Sequence, residues 1–384
     1  MRILVIAEHI GRTAPGMVFE RLVAGLSQMH SVDVITTVYE PGEKLGRLNK
    51  VIQLEKKAYN HRLPKLLIGT LGINHFDVFW SRKAIARLDD TAYDLVFCLI
   101  SFHSYVPLIT GINYAGKKGV KLAVYSVDAI PAPIGWSQND RYFRKVSKMM
   151  ADLLPKTDYF FSANKQMLEY QKTLFKPKAG AILDVIYNPN DGELKNLPDA
   201  PPEPNVFLYT GGIYQARKAG YVLKAFENLL TTHPDSSLVF VGTKFFGDTL
   251  ALVSDKVRSR ISVKPFARDL MPYYQQATAL LDIDADLKDD VFLSSKIINY
   301  LLINRIIISE TGENSPSRKL FGNIPSILQC GHNADELTRA MEHAIAQKSS
   351  ADFNDRKNVI ALFDIRNVVK KIDKIIGVVE EPAR

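Results

Sequence analysis

Four of the eight residues from Leu197 to Pro204 are proline. A run so poor in backbone donors, with φ fixed at so many positions, cannot continue a helix or a central strand, and it reads as a linker. On either side of it, short apolar runs alternate with segments of helical period. Before it come Arg2–Ala7, Val32–Thr36, Asp94–Ile100, Val120–Ser126, Tyr159–Ser162 and Ile182–Tyr187. After it come Val206–Tyr209, Ser237–Val241, Ile261–Val263, Ala279–Ile283, Ile306–Ser309 and Ser326–Gln329. Strands alternating with helices at this spacing predict parallel sheets covered on both faces. The expected fold class is therefore α/β, with two doubly wound Rossmann-like domains. They span 1–190 and 205–355, joined by a linker at 191–204, and a last helix near 360–378 packs back on the first domain. Sheets of this kind bind ligands outside the carboxyl ends of their strands. Two of them facing across a cleft would bring two substrates together.

Composition narrows the function. The chain has 384 residues, 46% of them hydrophobic, and two cysteines, Cys98 and Cys330. That excludes wholesale disorder, a disulfide framework and a zinc-finger spacing. No apolar run approaches the roughly 18–20 residues of a membrane span, and Ile3–Ala7 is too short for a signal peptide. The expectation is a cytoplasmic protein. The 49 Lys and Arg exceed the 41 Asp and Glu by 8, and ten of those cations against three acids lie between Gly42 and Leu88. There they interleave with Leu66, Leu67, Phe79 and Trp80, which suits a helix lying on the anionic inner face of a membrane. The alternative is an apolar face packed inward with its cations solvated. No helix-turn-helix, zinc spacing or RNA-binding aromatic strand accompanies the charge, so nucleic acid is not an expected partner.

Two segments carry the chemistry. In Phe207-Leu-Tyr-Thr-Gly-Gly-Ile-Tyr-Gln-Ala-Arg-Lys218 a strand runs into Gly211-Gly212, and a helix is expected to begin near Arg217. Glycines admit a ligand to the backbone, and Arg217 and Lys218 supply charged donors, which suits a pyrophosphate. The bland alternative is a strand-to-helix turn with two solvated cations. The segment is neither a dinucleotide fingerprint nor a P-loop. In Phe292-Leu-Ser-Ser-Lys-Ile-Ile-Asn-Tyr-Leu301, Ser294 or Ser295 caps a helix with Lys296 in its first turn. A cation there runs against the helix dipole unless an anion sits beside it. Asn299, on a similar face, suits a sugar hydroxyl. For acid–base work Glu8, His9, His103 and Asp128 each lie near the carboxyl end of an expected strand. Asp128 is the first choice and His103 the second.

The order Gly-Gly-x4-Arg-Lys, Pro265-Phe266, the helix expected at Asp269–Gln276 and Ser-Lys-x-x-Asn-Tyr-Leu resembles the donor half of the GT-B glycosyltransferases. Within them it is most similar to those of family four, which build bacterial capsule, exopolysaccharide and O-antigen. The likeness covers the C-terminal half well and the N-terminal half more loosely, through Gly16, Asp128 and Ile186-Tyr-Asn-Pro189. It implies a hexosyltransferase moving a sugar from a nucleotide-sugar donor to a saccharide or lipid-linked acceptor. The nucleotide sugar is then a substrate; no cofactor and no metal are called for. Gly211, Gly212, Arg217, Lys218, Ser295, Lys296 and Asn299 would hold the donor, with Phe266 at its base, and Gly16 would lie on the acceptor side. The chain departs from the family where two glutamates often stand eight positions apart; here those positions are Val291 and Asn299. Two further readings stay open: a nucleotide-sugar epimerase or hydrolase, and a donor-binding homologue without catalysis.

Overall fold

A computed structural model describes residues 1–377 except 43–47, 57–61, 72–74, 89–90, 102–103, 134, 137–139, 196, 199–202, 214–215, 244–246 and 251–252. The chain divides into two units: Met1–Asp191 together with the residues from Phe363 onward, and Gly192–Leu362. Each is a parallel sheet with helices.

The sheet of the first unit contains β1 (Arg2–Gly11), β2 (Ser31–Glu40), β3 (Lys50–Gln53), β4 (Leu95–Ile100), β5 (Lys121–Ser126), β6 (Tyr159–Ser162) and β7 (Ile182–Val185). Their order is β3-β2-β1-β4-β5-β6-β7, all parallel. Every residue of β4 is buried, as a parallel strand covered on both faces demands. The strand order reverses direction between β1 and β4, which sets this sheet's ligand crevice at their carboxyl ends. β1 runs past the expected Ala7 because His9 and Gly11 pair with Val38 and Glu40 of β2. The turn after it leads into the helix Ala14–Met29, whose cap Thr13 accepts from the Gly16 N–H. A methyl group on Gly16 would stand 2.1 Å from the Gly11 carbonyl oxygen, so this turn requires glycine there.

The closing helix Ile365–Ile376 belongs to the first unit. Its Ile365 lies against Gly25, Asp373 Oδ1 meets His30 Nε2 at 2.7 Å, and Lys371 donates to the Val185 carbonyl at 2.6 Å. The return is fixed at its start by Asn190, whose N–H donates to Phe363 O and whose carbonyl accepts from Ile365 N.

The second sheet holds β8 (Val206–Thr210), β9 (Ser237–Val241), β10 (Ile261–Lys264), β11 (Ala279–Ile283), β12 (Ile306–Glu310) and β13 (Ile327–Cys330). Their order is β10-β9-β8-β11-β12-β13, again all parallel. Here the order reverses between β8 and β11. The second unit also takes in Gly192 and the start of the proline-rich stretch. Lys195 bridges to Ile303, and Leu197 exchanges two hydrogen bonds with the Asn304 side chain. Lys195 and Leu197 are therefore anchored to this unit and are not part of a free tether.

One buried cation braces this unit. Arg356 is fully buried and donates to the carbonyls of Tyr300, Ile303, Arg305 and Ser326 and to Ser326 Oγ. Burial lowers its pKa to about 9. It satisfies carbonyls left open at the end of the helix Ser295–Tyr300 and so fixes that helix against the sheet.

Candidate functional site

At the reversal between β8 and β11, β8 is followed by Gly211, held at φ +104. Its N–H donates to Val241 O at 2.8 Å, and Thr243 Oγ1 donates to its carbonyl at 2.7 Å. The helix Ser295–Tyr300 is tied to the same turn: Tyr300 OH accepts from the Thr210 N–H at 2.9 Å and lies 2.8 Å from Thr210 Oγ1. Ser294 is the cap, accepting from the Lys296 N–H, and Ser295 is exposed. Lys296 extends beneath the turn. A Cβ on Gly211 would stand 2.7 Å from Lys296 Cε, so glycine is required both by its φ and by this approach. Lys296 Nζ lies 5.3 Å from the Tyr209 ring centroid and has no hydrogen bond or ion pair among the described residues.

Arg217 reaches the same place by a route the sequence did not reveal. The helix expected there starts at Gly220. Arg217 instead forms a bridge with Ala285, reinforced by the Asp286 N–H donating to Ala216 O at 3.0 Å. That pairing turns its side chain inward, with Nη2 3.7 Å from Asp284 Oδ1. Lys218 points out, paired with Asp286 at 2.8 Å. Phe266, following β10, is 67% exposed beside Gly242. Asn299 is half-buried and Val291 is buried. Of the residues assigned to the donor, Gly211, Arg217 and Lys296 therefore converge, while Lys218 faces solvent. The Ser295–Tyr300 helix has six residues; its dipole adds little, and the preference for an anion rests on the two cations.

Beneath these cations lie acids that the motif reading missed. Asp282 and Asp284 are fully buried, as are Asp290 and Glu310. Neither Asp282 oxygen has a hydrogen bond among the described residues, although Ser294 faces it and favours its charged form. Burial raises the pKa of Asp282, with Lys296 and Arg217 opposing. Burial, then Asp290 and Asp282, push Asp284 well above the carboxylate range. Lys296 is driven the other way, to about 7, by burial and then by the Arg217 charge. At the end of β12, burial raises the pKa of Glu310, and its Oε1 lies within hydrogen-bond distance, 2.9 Å, of His332 Nδ1. Burial of His332 is outweighed by that contact, and its pKa moves up. The signal was present in the sequence: a buried parallel strand reads as an unbroken apolar run, and Ala279–Ile283 is interrupted by Asp282, while Ile306–Glu310 ends in an acid.

In the first unit, Glu8 lies within β1, before the strand's last residues His9–Gly11. Ser104 Oγ donates to its Oε2 at 2.5 Å, and Lys56 Nζ reaches its Oε1 at 3.0 Å and Asp77 Oδ1 at 2.6 Å. Burial lowers the Lys56 pKa, but Glu8 and Asp77 outweigh it and the net shift is upward. Lys56, counted with the basic surface segment, is thus an internal bridge between two acids. His9 is shifted down by burial. Asp128 follows β5 and is half-buried, its carbonyl accepting from Ser126 Oγ at 2.6 Å. His103 lies outside the described residues.

No protein-family model matches the chain, and no curated protein matches it in sequence. Solved structures do match in fold. Anabaena HepE in complex with UDP-glucose superposes with a TM-score of 0.68 at 11% identity, over 99% of this chain and 100% of that one. The lipopolysaccharide outer core galactosyltransferase WaaB, in its apo form, gives 0.63 at 16% over 99% and 100%. The N-terminal domain of a Candida albicans trehalose-6-phosphate phosphatase gives 0.70 at 10% over 98% and 96%. The names of these neighbours span more than one activity, so the likeness fixes architecture and leaves chemistry to the residues. The pair of parallel-sheet Rossmann-like units is the architecture of the GT-B glycosyltransferases.

Proposed function

We propose that the chain is a glycosyltransferase that takes a sugar from a nucleotide-sugar donor held on the second unit and passes it to a saccharide or lipid-linked saccharide in surface polysaccharide assembly. The observation that carries this reading is the Lys296 ammonium. It reaches the sheet's reversal point beside Arg217, without an acceptor among the described residues, under a turn where Gly211 leaves room for it. Such a recess suits a diphosphate. The UDP-glucose complex of HepE supports a uridine diphosphate sugar as the donor class.

In this reading Arg217 and Lys296 grip the diphosphate through charge-assisted donors, and the Gly211-Gly212 turn carries no side chain to obstruct it. The exposed Phe266 ring is placed to cover the base, and Ser295 and Asn299 meet donor hydroxyls. Lys218, already paired with Asp286, has an outer role. As the bond from the anomeric carbon to the phosphate oxygen breaks, negative charge grows on the diphosphate, and the same two cations stabilise it more than they stabilise the ground state. They supply neutralising charge where a metal would otherwise be needed, and no cofactor enters the scheme. The attacking acceptor hydroxyl gives its proton to Asp128, to His103 or to the departing phosphate. Gly16 and the Glu8 network border the acceptor crevice at β1 and β4.

The test is mass-spectrometric detection of transfer from a panel of nucleotide sugars to saccharide acceptors. Donor consumption without acceptor would shift the assignment to an epimerase or hydrolase. Binding without turnover would leave a non-catalytic homologue, and no binding would remove the proposal.

The reading extends to the membrane. No helix among the described residues is long and apolar enough to cross one. The helices Arg62–Leu71 and His75–Arg87 instead expose Leu63, Leu66, Leu71 and Phe79 beside the exposed Arg82, Lys83 and Arg87. Lys57 and the side chains of Arg62 and Lys65 lie outside the described ones. Each cation near an anionic surface contributes about 1 kcal/mol. Peripheral binding at the inner face is expected to require anionic lipid in liposome co-sedimentation, to weaken in high salt, and to fall when Arg82, Lys83 and Arg87 become Gln. Equal binding to neutral and anionic liposomes would count against it.

A further inference from the structure

We propose that the site at the carboxyl ends of β8 and β11 takes up a proton when a diphosphate binds there, with Lys296 gaining the proton and the buried Asp282 tuning how readily it does so. This rests on the donor reading above and concerns the charge state of that same site.

The argument starts from what faces Lys296. From the bridge preceding the Gly220 helix comes Arg217; from β11 comes Asp282; from the loop after β11 comes Asp284; from β8 comes the uncharged ring of Tyr209. Ser294, the cap of its own helix, faces Asp282. Behind these, Asp290 and Asp282 act on Asp284, Asp286 and Asp282 act on Glu310, and Asp286 acts on His332. A guanidinium keeps its proton in any protein setting, so Arg217 is a permanent positive neighbour. The carboxylate of β11 that faces it, Asp282, is fully buried, and besides the two cations Ser294 favours its charged form. An ionised carboxylate in that setting is costly, and it therefore cannot act as a full counter-ion. Two cations share one poorly compensated space, and the one able to release a proton is the lysine. Consistent with that geometry, its pKa falls to about 7.

A diphosphate diester carries two negative charges throughout the neutral range. Placed against Lys296 and Arg217, it reverses the sign of the local potential and draws the amine back to the ammonium form. One N–H bond forms at Lys296 Nζ, the proton coming from the buffer acid, whose own bond to it breaks. The same anion also pushes the Asp282 and Asp284 carboxyls further up. The lysine's share of the uptake is the part that Lys296→Arg removes. By linkage, the lysine's contribution to affinity is flat below pH 7 and falls by up to about tenfold per pH unit above it, until the pKa of the bound state is reached.

The experiment is titration calorimetry with UDP-glucose, whose diester phosphates do not titrate near neutrality, in HEPES and in Tris. At pH 8 the difference between buffers should report uptake of about 0.5–0.9 proton per donor bound, and at pH 6 Lys296 should contribute little. Lys296→Arg keeps the charge but cannot release it, so the uptake at pH 8 should vanish. Asp282→Asn removes a negative neighbour, so affinity should begin to fall at a lower pH than in the wild type. This second variant decides the matter if the larger arginine does not fit under Gly211. A wild-type binding enthalpy at pH 8 that is independent of buffer overturns the proposal and leaves the donor reading standing. Uptake that persists in Lys296→Arg overturns the assignment to the lysine. UDP-glucose that fails to bind anywhere between pH 6 and 9 removes both.

Discussion

Arg217→Ala is expected to weaken UDP-glucose binding by about 1.5–3 kcal/mol, roughly 10- to 100-fold, the contribution of a hydrogen bond to a charged group. Arg217 is turned inward by its bridge to Ala285 and is 3.7 Å from Asp284, so the variant acts twice. It removes a diphosphate donor, and it strips Asp284 of the charge that opposes its burial. Asp284 would respond by holding its proton to still higher pH. Lys218→Ala should cost no more than about 1 kcal/mol, because Lys218 is exposed and already paired with Asp286. Calorimetry on both folded variants separates the cases. Equal losses at the two positions would contradict the inward assignment of Arg217.

Lys296→Met is expected to move stability and binding in opposite directions. In the native chain Lys296 titrates near 7 against an ordinary 10.5, because burial and Arg217 disfavour its charge. The unfolded chain therefore binds more protons between about pH 7 and 10.5, and the native state gains stability as pH rises through that window. Below pH 7 the cost of holding the ammonium beside Arg217 is fully present. Replacing it with an apolar side chain of similar length should raise stability by about 1–3 kcal/mol at pH 6, with the gain shrinking as pH approaches 10. Donor affinity at pH 7 should fall tenfold or more over the same substitution. Such a trade is common where a binding site holds an uncompensated charge. Thermal unfolding at pH 6 and pH 9.5 checks the first half. A variant less stable than the wild type at both values would contradict the strained-ammonium account.

The sheets were legible because their physics is local. Wholly buried strands such as Leu95–Ile100 are continuous apolar runs, and their alternation with helical segments leaves little choice of topology. β3 escaped notice because its four residues, Lys50–Gln53, place polar groups at both ends within a basic stretch. Its identity comes from pairing with Asp33–Thr36 of β2. The cations of the site were legible from type and position, and the turn glycines likewise. Their directions were not. Arg217 faces inward because of a bridge to a residue 68 positions away, and Lys56 is buried by Glu8 and Asp77, which stand 48 and 21 positions off. The acids under Lys296 were visible as interruptions in apolar strands, but a single Asp within a strand says nothing of which cation it meets until the sheet order is known.

Amide hydrogen exchange, with and without saturating UDP-glucose, tests the central claim most directly: that the reversal point of the second sheet holds the donor diphosphate. Exchange should slow in Phe207–Gly212, at Arg217 and Lys218, and in Ser294–Leu301, segments already tied together by Tyr300, Thr210 and the Arg217 bridge. Unchanged exchange in those segments at saturation, or protection confined to the first unit, would contradict the account.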